Sequence, residues 1–445
     1  MATTPTPDPT FTPEFQRRTI LKVSRRLLPL IVIAYLVAYI DRTNIAFASL
    51  TMNKDLGFSS QLYGLGAGIF FLGYALFEVP GNMILERVGA RRWIARIMLT
   101  WGIISGLMAT VSGPTSFLVL RFLLGVAEAG FFPGIVLYLT YWFPSAYRAR
   151  VLSVLYIAVP TSNAVAAVLS GAVLGMDGTW GLRGWQWLFI VEAVPAVVLA
   201  FVVLRQMTDR PAKADWLTAD EKAWLESELG AERTRIESRG RLGALRSLTD
   251  PRVLALALIY FLTCIPSYGI TFFLPQIVKE LGHTNFVTGL LSALPSVAGL
   301  CGLIAFGYSS DKRNERRWHV IVALLITAFG LVCTALSTGT YWAVLALAVA
   351  SFGMSGSRPV FWAMPSLFLT GAAAAAGIAL INSLGNLGGY LGPFLFGWIK
   401  DRTHTFEAGL HVLAGVAVLG AVVTLMATRA TRGISKTTAA AADAK

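Results

Sequence analysis

Five ionisable residues sit in apolar stretches, where charge is expensive. The run "AYIDRTNIAFA" (38–48) places Asp41 and Arg42 side by side in an otherwise lipid-soluble helix. A later run carries Arg121 and Glu128 seven residues apart, and "SRPVFWAMP" carries Arg358. A charge at the centre of a spanning helix costs about 2.5–3.5 kcal/mol even on lenient insertion scales, so such groups face a partner or a wet cavity. Seven residues make two turns, which puts Arg121 and Glu128 on one face. At a rise of 1.5 Å per residue the depths of Asp41, Arg121 and Glu128 interleave. An Asp41–Arg121 pair is therefore expected, with Arg42 and Glu128 beside it.

Such a cluster suits proton exchange tied to anion binding. A carboxylate that loses water as a cavity closes favours its protonated form, and a nearby arginine opposes this. Arginine does not deprotonate, so it binds anions rather than carrying protons. The alternative is a static ion-pair cluster that only holds helices together.

Other polar groups can face the same space. Tyr74 lies one turn from Glu78, and Glu78 is expected to bridge to Arg91 and Arg92 as a gate. "YFLTCIPSYGITFFLPQIV" (260–278) offers Tyr260 and Tyr268, and Pro266, Gly269 and Pro275 are expected to break its helix. Broken helices are tolerated where they line a cavity. Trp362 and Phe361 adjoin Arg358, and Asn382 and Asn386 lie one turn apart. Amide and indole groups can hydrogen-bond carboxylate or hydroxyl oxygens without adding charge. Arg358 either meets a carboxylate of a bound solute or snorkels to the surface.

The elements that position these residues are membrane spans. The chain of 445 residues is 55% hydrophobic and 14% charged, against roughly 25% charged in a soluble protein. Twelve windows approach the ~20 apolar residues needed to cross a bilayer. We read an all-α membrane protein: a tail (1–26), a six-helix bundle (27–204), a polar central segment (205–252), a second six-helix bundle (253–428) and a tail (429–445). The Pro/Thr-rich first sixteen residues read as disordered, and no cleavable signal peptide is apparent. In the central segment "LTADEKAWLESEL" reads as a surface helix with a capping box between Thr218 and Glu221.

The net charge of +13 reflects topology rather than nucleic acid binding. Only Lys54, Arg183, Lys279, Lys400 and Arg402 fall in one set of loops, and Arg42, Arg121 and Arg358 fall inside spans. All other basic residues lie on the opposite side, which places both termini in the cytoplasm. Cys264, Cys301 and Cys333 fall within spans and read as packing residues, not as a disulfide or metal set.

The two bundles are a duplication. "ERVGARRW" (86–93) and "DKRNERRW" (311–318) recur at an offset of 225 residues. Their acids and bases, Glu86, Arg87, Arg91, Asp311 and Lys312, are candidate gating residues. The first of these loops, "NMILERVGARR", resembles the signature loop of the major facilitator superfamily. Asn82 replaces its leading glycine, Glu86 its aspartate and Ala90 an arginine, while Gly307 and Asp311–Lys312 form a second copy. "DRTNIAFA", the run from Tyr63 to Gly102 and "INSLGNLGGYLGP" (381–393) together resemble the anion:cation symporter branch. That resemblance implies import of an organic anion with protons, Asp41 and Glu128 as coupling acids, and Arg42 and Arg121 steering the anion. It places Asn382 and Trp362 at substrate contacts.

No metal spacing, nucleophile–base pattern or phosphate-cradling loop suggests an enzyme or a primary pump. No charge ring or filter suggests a channel. The expected function is proton symport of a small carboxylate by alternating access, with no cofactor beyond the proton gradient. Expected partners are the organic anion, protons and membrane lipids, with no nucleic acid, in a monomer at a bacterial inner membrane. The alternatives are a proton-coupled exporter of the same fold and a non-transporting receptor or scaffold. Span five, "VLSVLYIAVPTSNAVAAVLSG", lacks the glycine-rich exporter pattern.

Overall fold

Helix starts in this chain carry their own caps. Thr12 accepts a hydrogen bond from the Phe15 amide and Pro13 follows at the first helical position, so α1 (Pro13–Leu56) begins inside the expected tail. It ends at Gly57, whose φ of 65° is left-handed. The computed structural model describes residues 11–237, 249–365 and 371–442. Residues 1–10 of the expected disordered segment lie outside these.

α2 (Ser60–Val88) and α3 (Ala90–Leu107) follow. The fourth span, read from the sequence as one helix, is two: α4 (Pro114–Glu128) and α5 (Phe131–Thr140). Gly130, at φ 82°, turns the chain between them. α6 (Ser145–Val173) and α7 (Gly184–Gln206) complete the first bundle. α8 (Ala219–Glu237) is the expected central helix, and its capping box forms: the Thr218 amide donates to Glu221 (2.9 Å) and the Glu221 amide to Thr218 Oγ1 (3.3 Å). Glu221 also pairs with Lys22 of α1 at 2.7 Å, which ties α8 to the first bundle.

The second bundle comprises α9 (Pro251–Lys279), α10 (Asn285–Arg313), α11 (Arg317–Leu336), α12 (Tyr341–Trp362), α13 (Gly371–Thr403) and α14 (Glu407–Ala442). α9 corrects an expectation, because it continues through Pro266 and Pro275. A proline removes one intrahelical bond, and its neighbours, here α13 and α14 packed along α9, hold the helix together. Among the described residues eleven helical stretches are long and apolar enough to cross a membrane. α13, packed along α2 and α9, takes the remaining place in the second bundle.

The two bundles meet as α2 against α13 and α6 against α10. Both seams are tightest at the end away from the central segment. A Cβ on Gly64 would collide with the Pro393 carbonyl, and one on Gly289 with the Ala167 carbonyl. At the same end the Tyr63 hydroxyl donates to the Phe272 carbonyl (2.7 Å) and Gln276 to Ser49 Oγ (2.9 Å). The first two amides of α2, Ser60 and Gln61, donate to the Asp401 carboxylate of α13 at 2.9 and 2.7 Å. Toward the opposite, basic end the described cross-bundle tie is a side-chain hydrogen bond from Asn382 to Glu78 (2.7 Å). The molecule is closed at the far end.

Candidate functional site

Neighbours on a helix point about 100° apart, so Asp41 and Arg42 cannot face the same helix. Asp41 turns toward α3. Its carboxylate accepts from Trp101 Nε1 (2.8 Å), Ser105 Oγ (2.7 Å) and Asn44 Nδ2 (3.3 Å). Arg42 turns the other way and pairs with Glu128, both side chains buried. Its guanidinium also lies 5.0 Å from the Tyr39 ring centroid and 5.4 Å from that of Tyr74.

The expected Asp41–Arg121 pair is therefore absent. Arg121 is fully buried and donates to backbone carbonyls of α2, Gly66 (3.0 Å) and Ala67 (3.3 Å). Gly66 and Gly73 of α2 face α4, where a Cβ would strike the Phe117 ring or the Phe122 carbonyl, so the helices pack closely and those carbonyls come within reach of Arg121. It fastens α4 to α2 and does not line the cavity. The α4–α5 break directly follows Glu128, so the partner of Arg42 stands at a helix end.

Between the bundles lies a polar cavity. Its chamber toward the basic end is bounded by Tyr39, Arg42, Tyr74, Tyr156, Tyr260, Tyr268, Trp362, Asn382 and Asn386. A deeper chamber is bounded by Thr43, Asn163, Ser267, Ser292 and Ser296. Arg358 and Ser355 border both chambers. Half-buried Arg358 has no carboxylate partner among the described residues. The Tyr260 ring stacks on Phe361 (5.1 Å, 14°) and meets Trp362 edge-on (4.9 Å). Phe361 is buried behind this wall rather than lining it.

Glu78 corrects another expectation. It accepts from Asn382 Nδ2 at 2.7 Å, across the two bundles, and is buried. Ten residues separate it from the end of α2, roughly 15 Å of helix, which puts Arg91 and Arg92 out of reach. The Arg91 amide instead donates to Asp209 (2.8 Å). Among the other candidate gating residues, Glu86, Arg87 and Lys312 are exposed, and Asp311 pairs with Arg316 of its own loop (2.6 Å).

Sequence reasoning missed Trp101, Ser105 and Asn44 around Asp41, and Tyr39 and Tyr156 in the cavity wall. It also passed over Glu192, an acid inside the apolar run "WLFIVEAVP", whose presence there was signal enough.

A family model described as Major Facilitator Superfamily matches residues 31–393 and, a second time, 256–444. The chain belongs to the Major Facilitator Superfamily. It is a transporter of that family and not an enzyme, an integral multi-pass membrane protein. Among its relatives is an Agrobacterium vitis protein named "Putative tartrate transporter", 50% identical over 416 residues (94% of this chain, 96% of the relative). Another is an Acinetobacter baumannii "Quinolone resistance transporter", 43% identical over 412 residues (92% and 95%). Among solved structures, a bacterial homologue of the human lysosomal transporter Spinster, inward-facing and occupied, superposes with a TM-score of 0.74. That match has 17% identity and covers 91% of this chain and 96% of the other. It shares this major facilitator fold.

Proposed function

We propose that this transporter imports a small organic carboxylate with protons at a bacterial inner membrane, with its basic end in the cytoplasm. The observation that carries this reading is Arg358, a guanidinium on the cavity wall with no acidic partner among the described residues. A carboxylate of the substrate matches its bidentate fork. Arg42 supplies a second cation across the cavity, and Tyr268, Trp362, Asn382 and Asn386 offer hydrogen bonds and ring faces. The relative named as a tartrate transporter supports a hydroxylated dicarboxylate.

Coupling follows from the Arg42–Glu128 pair. When a substrate anion borrows Arg42, Glu128 is left buried without its cation and takes a proton; when the anion leaves, the ion pair re-forms and the proton is released. Asp41, held by Trp101 and Ser105 on the far side of α1, shares the charge balance. Alternating closure of the two bundle ends around the cavity moves substrate and proton together.

A second reading, proton-coupled export, is favoured by the relative named for quinolone resistance. Uptake of a labelled acid panel into proteoliposomes under an imposed pH gradient separates the two. Accumulation of a carboxylate driven by inward proton flow supports import. Accumulation only when the proton gradient opposes substrate movement overturns it in favour of export.

A further inference from the structure

Phe70 of α2 is fully buried and borders neither chamber of the cavity. Two guanidinium groups nevertheless lie over its ring: Arg42 of α1 at 5.3 Å from the centroid and Arg121 of α4 at 5.1 Å. α4 comes this close because Gly125 is bare, and a Cβ there would collide with the Phe70 carbonyl. The two cations have one carboxylate between them. Glu128 pairs with Arg42, whereas Arg121 makes no ion pair among the described residues. Arg121 Nη1 is also buried with no hydrogen-bond partner.

A cation within about 6 Å of a ring centroid is attracted to the negative face of the ring, more strongly where water is excluded. Phe70 therefore supplies part of what a second carboxylate would. Aromatic surface also continues from it to the cavity. The Tyr74 ring, one turn on, lies 6.1 Å from that of Phe70 and borders the chamber toward the basic end. Tyr39, a third ring beside Arg42, borders the same chamber. A hydrogen bond to Glu128 is directional and weakens steeply when bent. The face of a ring is broad, so its attraction survives a small shift of the guanidinium.

We propose that Phe70 is a positioning residue for anion binding: its ring holds Arg42 while the guanidinium turns from Glu128 to a carboxylate in the cavity, and steadies the unpaired Arg121 beside it. The ring matters most once Glu128 has let go, because the rings and the bound anion are then what holds Arg42. Losing it weakens the anion-bound form more than the free form. The anion's part rests on the carboxylate reading above; the attraction of both arginines to Phe70 does not.

Fluorination tests it, since fluorine drains the negative face of the ring while hardly changing its shape. Phe70 is replaced in the full chain by mono-, di- and trifluorophenylalanine. The purified transporters are melted, and titrated with a panel of labelled carboxylic acids without a gradient. The unfolding midpoint should fall stepwise with each fluorine. Affinity for an acid that the wild type binds should fall with it, by about 3–10-fold across the series. Phe70→Leu should lose at least as much affinity, and the fluorinated series keeps the test open if that variant does not fold. A ring that only fills space would leave both readings flat, because the fluorinated rings fill it as well. A flat midpoint, or an affinity unchanged across the series, overturns the proposal. Stepwise melting with no acid bound by the wild type would refute the carboxylate reading and the anion's part with it, while the ring's hold on the two arginines stands.

Discussion

Replacing Asp401 by alanine should open the far end of the molecule. Ser59 already caps the third amide of α2, and Asp401 takes the first two from the other bundle, at 2.9 and 2.7 Å. The contact is an N-cap built across the interface. Loss of a capping side chain costs about 0.5–2 kcal/mol. Gln61 is exposed, so water replaces part of what is lost, while the negative charge at a helix N-terminus adds to the contact. A net of ~1–2 kcal/mol in favour of closure makes the closed-to-open ratio fall about 5–30-fold in the variant, at ~1.4 kcal/mol per factor of ten. Spin labels on Lys54 and His404, exposed at that end on opposite bundles, read the change as a longer distance population. Asp401→Asn, which keeps shape but not charge, should fall between. Partial burial pulls the Asp401 carboxyl upward, but the Gln61 and Ser60 amides and the Ser59 hydroxyl hold it below its ordinary value. A value lowered by closure means the contribution is complete above ~3.9 and is lost only as pH falls through the lowered value. The distance distribution should therefore stay flat from about pH 8 to pH 5. An unchanged distribution in folded Asp401→Ala would refute the reasoning.

Asp41→Asn and Glu128→Gln should each abolish accumulation against a gradient while counterflow exchange persists; normal uphill uptake by both would remove them from coupling. Arg358→Gln should weaken a dicarboxylate by about 10–100-fold, the worth of a charged hydrogen-bonded contact, and its monocarboxylate analogue far less. Equal losses in a binding series would make Arg358 structural. Glu86→Ala or Asp311→Ala should raise the population open at the basic end, read by label distances there, because each acid gains a basic partner when the bundles close on that side and alanine removes that gain.

Much of the architecture was legible because the bilayer leaves few options: apolar windows, alternating loop charge and a 225-residue repeat read out as two six-helix bundles. The local signal at Thr218 and Glu221 was equally readable, since a capping box needs only its own four residues. What escaped depended on contacts distant in sequence. Adjacent Asp41 and Arg42 could be placed in the interior, but only packing decides that one faces Trp101 and the other Glu128, and Arg121 found carbonyls instead of a carboxylate. Proline was over-read in α9, where neighbours hold the helix, while Gly130 was under-read after Glu128. Asp401 was passed over, because nothing in its own stretch marks it as the partner of the first amides of α2.

The two ends of the molecule are held by forces of different range. Along the far-end seams, backbone meets backbone where glycines leave no side chain between, as at Gly64 with Pro393 and Gly289 with Ala167. Such contact attraction forfeits a quarter to a half of its strength over a gap of roughly 0.5–1 Å. It cannot stretch, so separation there is abrupt, and added salt leaves it nearly untouched. The basic end is furnished instead with exposed Glu86, Arg87 and Lys312. Their attractions reach across a Debye length of about 8 Å at physiological ionic strength and fade gradually. One gate behaves chiefly as a latch and the other as a screened spring, so ionic strength acts mainly on the second and reaches the first only through Asp401.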